Sequence, residues 1–314
     1  MLPKFLRLRS RTKPRWLYGL VSFIVMAGIV LGPVAASQAI SIFDILRGGA
    51  EVLQGIQLEG MSPPKEMEFG AGIDNQIKQQ LANNGTPVVN PNHEASIYIN
   101  NLGERLVAQL TNEERRVHKD KTGQGIQYTF QVVNDPGINA FATMGGFVYI
   151  NSGLIAFAET ESQLTSVIGH EMGHIMERHA IKQVKNEAIR RGVLTAAGLG
   201  RDQLLNIGTT VALTLPNSRR AETEADEVGL DVLRRGGYYP EGMPQFMSKL
   251  GQQSRGGQPA ILSTHPNPNA RAQHLRDIIA ANPPTATEID GNDPVAYCNQ
   301  IKSFFRDAIT CPTS

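Results

Sequence analysis

Two histidines four residues apart, with a glutamate directly after the first, stand at the centre of this chain: Ser166-Val167-Ile168-Gly169-His170-Glu171-Met172-Gly173-His174. On an α-helix, residues i and i+4 share one face, so both imidazoles can reach a single zinc ion. Glu171 lies one position round the helix, where it can take a proton from a water acidified by that ion without ligating it. The local sequence favours a helix. Thr160 and Gln163 have the spacing of a capping box, and Leu164, Val167, Ile168, Met172 and Ile175 surround the motif with apolar side chains. Two histidines and a glutamate in a buried helix are costly without partners, and a metal supplies a partner to all three. Gly169 and Gly173 leave space beside the ligands for a strand backbone or a substrate.

A catalytic zinc site needs a third protein ligand and an open position. The metzincin spacing would put Gly at 177 and His at 180, and the chain has Glu177 and Ala180 there. Glu177 is itself about 10 Å from His170 by helical rise, too far to share the ion. The next acids lie between Asn217 and Gly229. Projected at about 100° per residue, Ala221, Ala225, Val228 and Val232 form an apolar arc bordered by Glu222 and Asp226. Glu224, Glu227 and Asp231 fall on the opposite side and read as a solvated face. Glu222 is therefore the expected third ligand. Asp226, one turn on, is expected to hold the free ring N–H of a ligating histidine.

Helices are expected over 65–84, 93–116, 218–235, 241–250 and 269–281, with a long helical zone from Glu161 to about Arg191. Residues 192–215 carry no firm assignment. Gln127–Val133 alternates, with Tyr128, Phe130 and Val132 on one side, and reads as a strand; Gly146–Ile150 reads as a second. With few, early strands and later helices, the class is α+β: a mainly helical domain with a small sheet beside the zinc-motif helix. The Phe147–Ile150 strand precedes that helix closely, and its edge is expected to pair with an extended substrate backbone. His265, in the Pro-containing stretch Ser263–Pro268, reads as a solvated loop histidine, with entry into the open metal position as a latch or polarisation of the substrate as the alternatives. His93, His118, His179 and His274 read as structural or surface residues.

The whole chain has 314 residues, 41% of them hydrophobic and 19% charged, which excludes wholesale disorder and a multi-span membrane protein. Residues 1–39 hold six basic residues and no acid, leaving a body with 24 basic and 29 acidic residues. That mildly acidic body argues against a nucleic-acid partner. The basic stretch, the apolar run Leu17–Leu31 and the small residues ending Ser37-Gln38-Ala39 have the layout of a signal peptide or an uncleaved N-terminal anchor, and either reading exports the body. A periplasm or an equivalent lumen is the expected compartment. Residues 40–64 read as an amphipathic segment and linker suited to a membrane surface or to packing on the domain. The metalloprotease domain is expected over 65–281, and 282–314 as a loop-rich tail in which Cys298 and Cys311 can close a disulfide once exported.

His170-Glu171-x-x-His174, followed by Ser218-Arg219 ahead of Glu222-x-x-x-Asp226, resembles the gluzincin metalloproteases of the CaaX-prenyl-protease/HtpX/BepA-like family, in its exported branch. Asn139-Ala140-Phe141-Ala142 with Gly145-Gly146-Phe147-Val148-Tyr149, and Thr264-His265-Pro266 with Arg271, resemble further family elements, so the likeness spans about residues 65–280. It implies a zincin-like fold, one zinc ion per chain on His170, His174 and Glu222, and Glu171 as base. A helical-repeat domain like that of the BepA-like members and the several transmembrane spans of the HtpX and prenyl-protease members are not expected here, so prenyl-protein processing is not expected either. The resemblance implies an endopeptidase acting on unfolded or damaged proteins near a membrane. Its rivals are a chaperone-like assembly factor whose protease is latched or secondary, and a zinc hydrolase of non-peptide amides.

Overall fold

The computed structural model describes residues 60–116, 125–191, 201–253, 259–305 and 311–312. Residues 1–39, read above as a signal peptide or anchor, most of the segment read as amphipathic, and His118 lie outside the described residues.

Eleven α-helices and three strands are described: α1 (Pro63–Asn83), α2 (Glu94–Val107), β1 (Thr129–Val133), β2 (Ala140–Ala142), β3 (Phe147–Asn151), α3 (Ser152–Phe157), α4 (Glu161–Met176), α5 (His179–Arg190), α6 (Arg201–Thr214), α7 (Arg219–Arg235), α8 (Gly242–Gln253), α9 (Ile261–Thr264), α10 (Pro268–Ala281) and α11 (Pro294–Lys302). The strand order is β1-β3-β2, with β1 parallel and β2 antiparallel to β3. The Phe147–Ile150 strand is thus central and has no free edge, contrary to the sequence expectation. The edge strands are β1, partly covered by the Val88–Val133 bridge, and the short β2, whose three residues carry too little alternation to announce it.

Alternation along β3 explains the layering. Val148 and Ile150 point into one core with Phe130 and Val132, while Tyr149 points into a second core with Phe141. The first core is closed by α2, α4, α7, α8 and α10 through Leu106, Leu164, Ile168, Leu233, Phe246 and Leu275. The second is closed by α1, α5 and α6 through Ile73, Ile77, Val184 and Ile207. The sheet therefore has no solvated face, and α4 lies along it near β2.

The expected helical zone from Glu161 to Arg191 is two helices, because Arg178 adopts the left-handed conformation, φ 57°. The expected helix over 93–116 ends at Val107, and the unassigned 192–215 stretch contains α6. The tail is not simply loop: α11 buries Tyr297, whose hydroxyl donates to the Ile155 carbonyl at 2.7 Å, and Cys298 is bonded to Cys311.

Candidate metal centre

Thr160 caps α4, its hydroxyl accepting from Gln163 N at 3.2 Å, so the helix starts about two and a half turns before the motif. Ser218 caps α7 by accepting from Ala221 N at 3.1 Å. The two helices are in close contact along their length. Space for this comes from Gly169, Gly173 and Gly229: a Cβ on Gly173 would lie 2.6 Å from the Ala225 carbonyl oxygen. The glycines in α4 thus admit the backbone of α7, not a strand or a substrate.

This crossing brings together His170, His174, Glu222 and His265, all buried, with one donor atom each within 4.8 Å of the others. His170 Nε2 and His174 Nε2 are 3.0 Å apart. His265 Nδ1 is 3.2 Å from His170 Nε2 and 3.1 Å from Glu222 Oε1. Glu222 Oε1 is 3.4 Å from His174 Nε2. Asp226 Oδ1 lies 2.9 Å from His170 Nδ1, on the outer side of that ring. The helical projection of α7 is upheld here: Glu222 and Asp226 are fully buried, and Glu227 and Asp231 are solvated.

These residues fit a metal. The Asp226 carboxylate calls for a proton on His170 Nδ1, which leaves a lone pair on Nε2 in the neutral ring. That lone pair faces His174 Nε2 and a carboxylate oxygen, an arrangement a cation between them satisfies. Burial pushes His174 down to about 3, so its ring is neutral, as a ligand must be. Burial opposes charge on Glu222, but His265, His174 and Arg271 together hold its carboxyl well below the usual range. Glu171 is buried, and neither of its carboxylate oxygens has a hydrogen-bond partner among the described residues. Burial raises its pKa, with His265 and His170 only partly offsetting this. His265 Nε2 lies 3.5 Å from one of these oxygens.

Three participants were not assigned these positions by sequence reasoning. Arg271, on α10, grips Asp226 with two bonds of 2.6 and 2.7 Å and also pairs with Glu222. His179 Nδ1 meets His174 Nδ1 at 2.8 Å, although i and i+5 would not face each other on a continuous helix. Glu224 is not a solvated-face residue, since its Oε2 is 3.0 Å from His179 Nε2. The left-handed residue Arg178, whose Nη2 is 3.3 Å from Glu66 Oε2, turns the chain so that His179 folds back on His174. No sequence signal marks a left-handed arginine.

Beside the cluster lies an open cleft lined by Ala142, Thr143, Glu171, His174, Asn217 and His265. It borders the outer edge of β2, with which no strand pairs among the described residues. A half-open apolar pocket lined by Val167, Phe246, Met247 and Leu262 adjoins His170 and Arg271.

A mainly helical domain whose motif helix is crossed by a glutamate-bearing helix beside a three-stranded sheet is a zincin-like metalloprotease fold. Comparison with known proteins gives the class a name. A family model described as Peptidase family M48 matches residues 104–279, more than half of the chain, and the chain belongs to that family. Among curated relatives, the beta-barrel assembly-enhancing protease of Escherichia coli K12 is 33% identical over 233 residues, covering 69% of this chain and 44% of the relative. Metalloprotease LoiP of the same organism is 32% identical over 182 residues, covering 55% of this chain and 71% of LoiP. The mitochondrial metalloendopeptidase OMA1 of Saccharomyces cerevisiae is 29% identical over 261 residues, covering 78% and 72%. The chain spans less than half the length of the beta-barrel assembly-enhancing relatives it matches.

Proposed function

We propose that this chain is an exported zinc metalloendopeptidase that cleaves unfolded or damaged proteins in the quality control of exported or membrane-associated proteins. His170, His174 and Glu222 hold one zinc ion, Glu171 is the general base, and Asp226 orients His170. The observation that carries this reading is the buried Glu171 carboxylate, without a hydrogen-bond partner among the described residues and beside three converging donors. Bound there, the ion would supply Lewis acidity to a water and to the scissile carbonyl. Glu171, raised above the usual carboxylate range, takes the water's proton and returns it to the leaving amine. The extended substrate lies along the free edge of β2, its backbone groups paired by Ala140–Ala142, which reads peptide without demanding a sequence. An edge-lined cleft supports a peptide over a small non-peptide amide.

His265 supports a second element of this reading. It occupies the cluster itself, where a catalytic site keeps an open position, so it acts as a latch that must withdraw for turnover. Zinc and chain ends aside, export rests on the basic-apolar-small layout of residues 1–39. No helix among the described residues is long and apolar enough to cross a membrane. The names of the beta-barrel assembly-enhancing relatives support a place in assembly of membrane-bound proteins, and a chaperone-like role with the protease latched is the alternative.

Zinc content and casein cleavage, measured on wild type, Glu222→Ala and Glu171→Gln, test the proposal. Stoichiometric zinc and cleavage in wild type, both lost with Glu222→Ala, and zinc retained without cleavage with Glu171→Gln, are expected. Unchanged zinc in Glu222→Ala overturns the ligand set. Zinc without cleavage in the wild type, with assembly defects rescued by Glu171→Gln, favours the chaperone.

A further inference from the structure

The geometry points to His179 and Glu224 as a positioning relay that fixes the ring of His174 and strengthens it as a metal ligand. This rests on the zinc reading above.

His174 presents Nε2 to the cluster, 3.0 Å from His170 Nε2 and 3.4 Å from Glu222 Oε1. A ligating Nε2 must offer its lone pair, so the proton of the neutral ring sits on Nδ1. That Nδ1 has His179 Nδ1 at 2.8 Å. His179 Nδ1 must therefore accept, and its own proton must be on Nε2. His179 Nε2 has Glu224 Oε2 at 3.0 Å, an acceptor only. Glu224 is held in turn by Arg220 Nε at 2.6 Å. Each link allows one tautomer, and the chain closes only with His174 Nε2 free to bind a metal. His170 gets its acceptor directly from Asp226, whereas His174 gets a carboxylate one ring removed. Metal-ligating histidines use such partners to fix ring orientation and raise basicity.

The same proton placement argues against the alternative that these residues suggest. Glu177, His179 and Glu224 also bring donor atoms within 4.8 Å of one another. A cation there would need the His179 Nε2 lone pair, which moves the His179 proton to Nδ1 and sets it against the Nδ1 proton of His174. A second ion and the relay exclude each other.

The test is zinc affinity of the full chain, read by competition with a chromophoric chelator, together with melting of the metal-free protein. With His179→Ala, zinc binding is expected to weaken by about 10- to 100-fold, the range typical of outer partners of ligating histidines. His179→Asn, which places an amide oxygen where Nδ1 stood, is expected to recover much of that loss. Glu224→Gln retains an acceptor for His179 and is expected to weaken zinc binding less than His179→Ala. The metal-free melting temperatures of His179→Asn and Glu224→Gln stay at the wild-type value. If His179→Ala does not fold, the order of zinc affinity among wild type, His179→Asn and Glu224→Gln decides the question. Wild-type affinity in all variants overturns the relay. A second zinc equivalent in wild type, lost with Glu224→Gln, overturns it in favour of a separate metal site. A wild type that takes up no zinc overturns the underlying reading instead, and shows itself before any variant is compared.

Discussion

Gly229 of α7 sits against the backbone of His170: a Cβ at position 229 would come within 2.9 Å of the His170 nitrogen. One turn away, Gly173 meets Ala225 as closely. The distance between the two helices, and so the reach of Glu222 to the two histidines, is set by side chains that are missing. Gly173→Ala is therefore expected to push α4 and α7 apart. An overpacking cost of about 1–3 kcal/mol should appear in urea unfolding, with weakened zinc uptake. Unchanged zinc affinity would show that the cluster tolerates a wider crossing.

Arg271 faces two buried carboxylates at once. Arg271→Met leaves Glu222 and Asp226 without their cation, and removing one partner of a buried pair costs about 3–5 kcal/mol. The metal-free protein should carry most of that loss, with added zinc recovering part of it by binding the folded state. Denaturation with and without a chelator separates the two contributions.

Acid should act through the same contact. Burial opposes charge on Asp226, yet the Arg271 bonds and His170 hold its carboxyl below the usual range. A depressed carboxylate contributes stability in full above its unfolded pKa of about 3.9, and loses it as pH falls from there through the lower folded value. The metal-free wild type is expected to lose melting temperature more steeply below about pH 4 than Asp226→Asn, which has no carboxylate to protonate. Parallel acid profiles for the two would contradict this.

His265 closes the cluster, so His265→Ala should keep zinc and raise casein cleavage. If instead kcat falls with KM unchanged, His265 stabilises the transition state and is no latch.

The Cys298–Cys311 bond spans 13 positions and ties the chain end to α11, whose Tyr297 is buried in the main core. A loop near that length is worth about 3 kcal/mol in the chain-entropy account. Cys298→Ser should lower unfolding free energy by about 2–4 kcal/mol, with zinc content unchanged because the site lies on other helices.

Spacing within a single helix is legible in the residues themselves. The i, i+4 spacing of His170 and His174 puts both on one face, and the projection of α7 separates buried Glu222 and Asp226 from solvated Glu227 and Asp231. The caps at Thr160 and Ser218 are local too, since each needs only a hydroxyl three residues before a free N–H. Tertiary structure alone decided the rest. Which strand is the edge depends on how β2 and β3 pair, and β2 is too short to carry a pattern. Arg271 reaches Asp226 from a helix 45 positions later in the chain, which no local period encodes. Glu224 lies on the polar side of α7 and is nonetheless engaged, because a left-handed Arg178 turns His179 back toward it. Spacing along one helix is a property of the backbone; contacts between helices exist only once the core has packed.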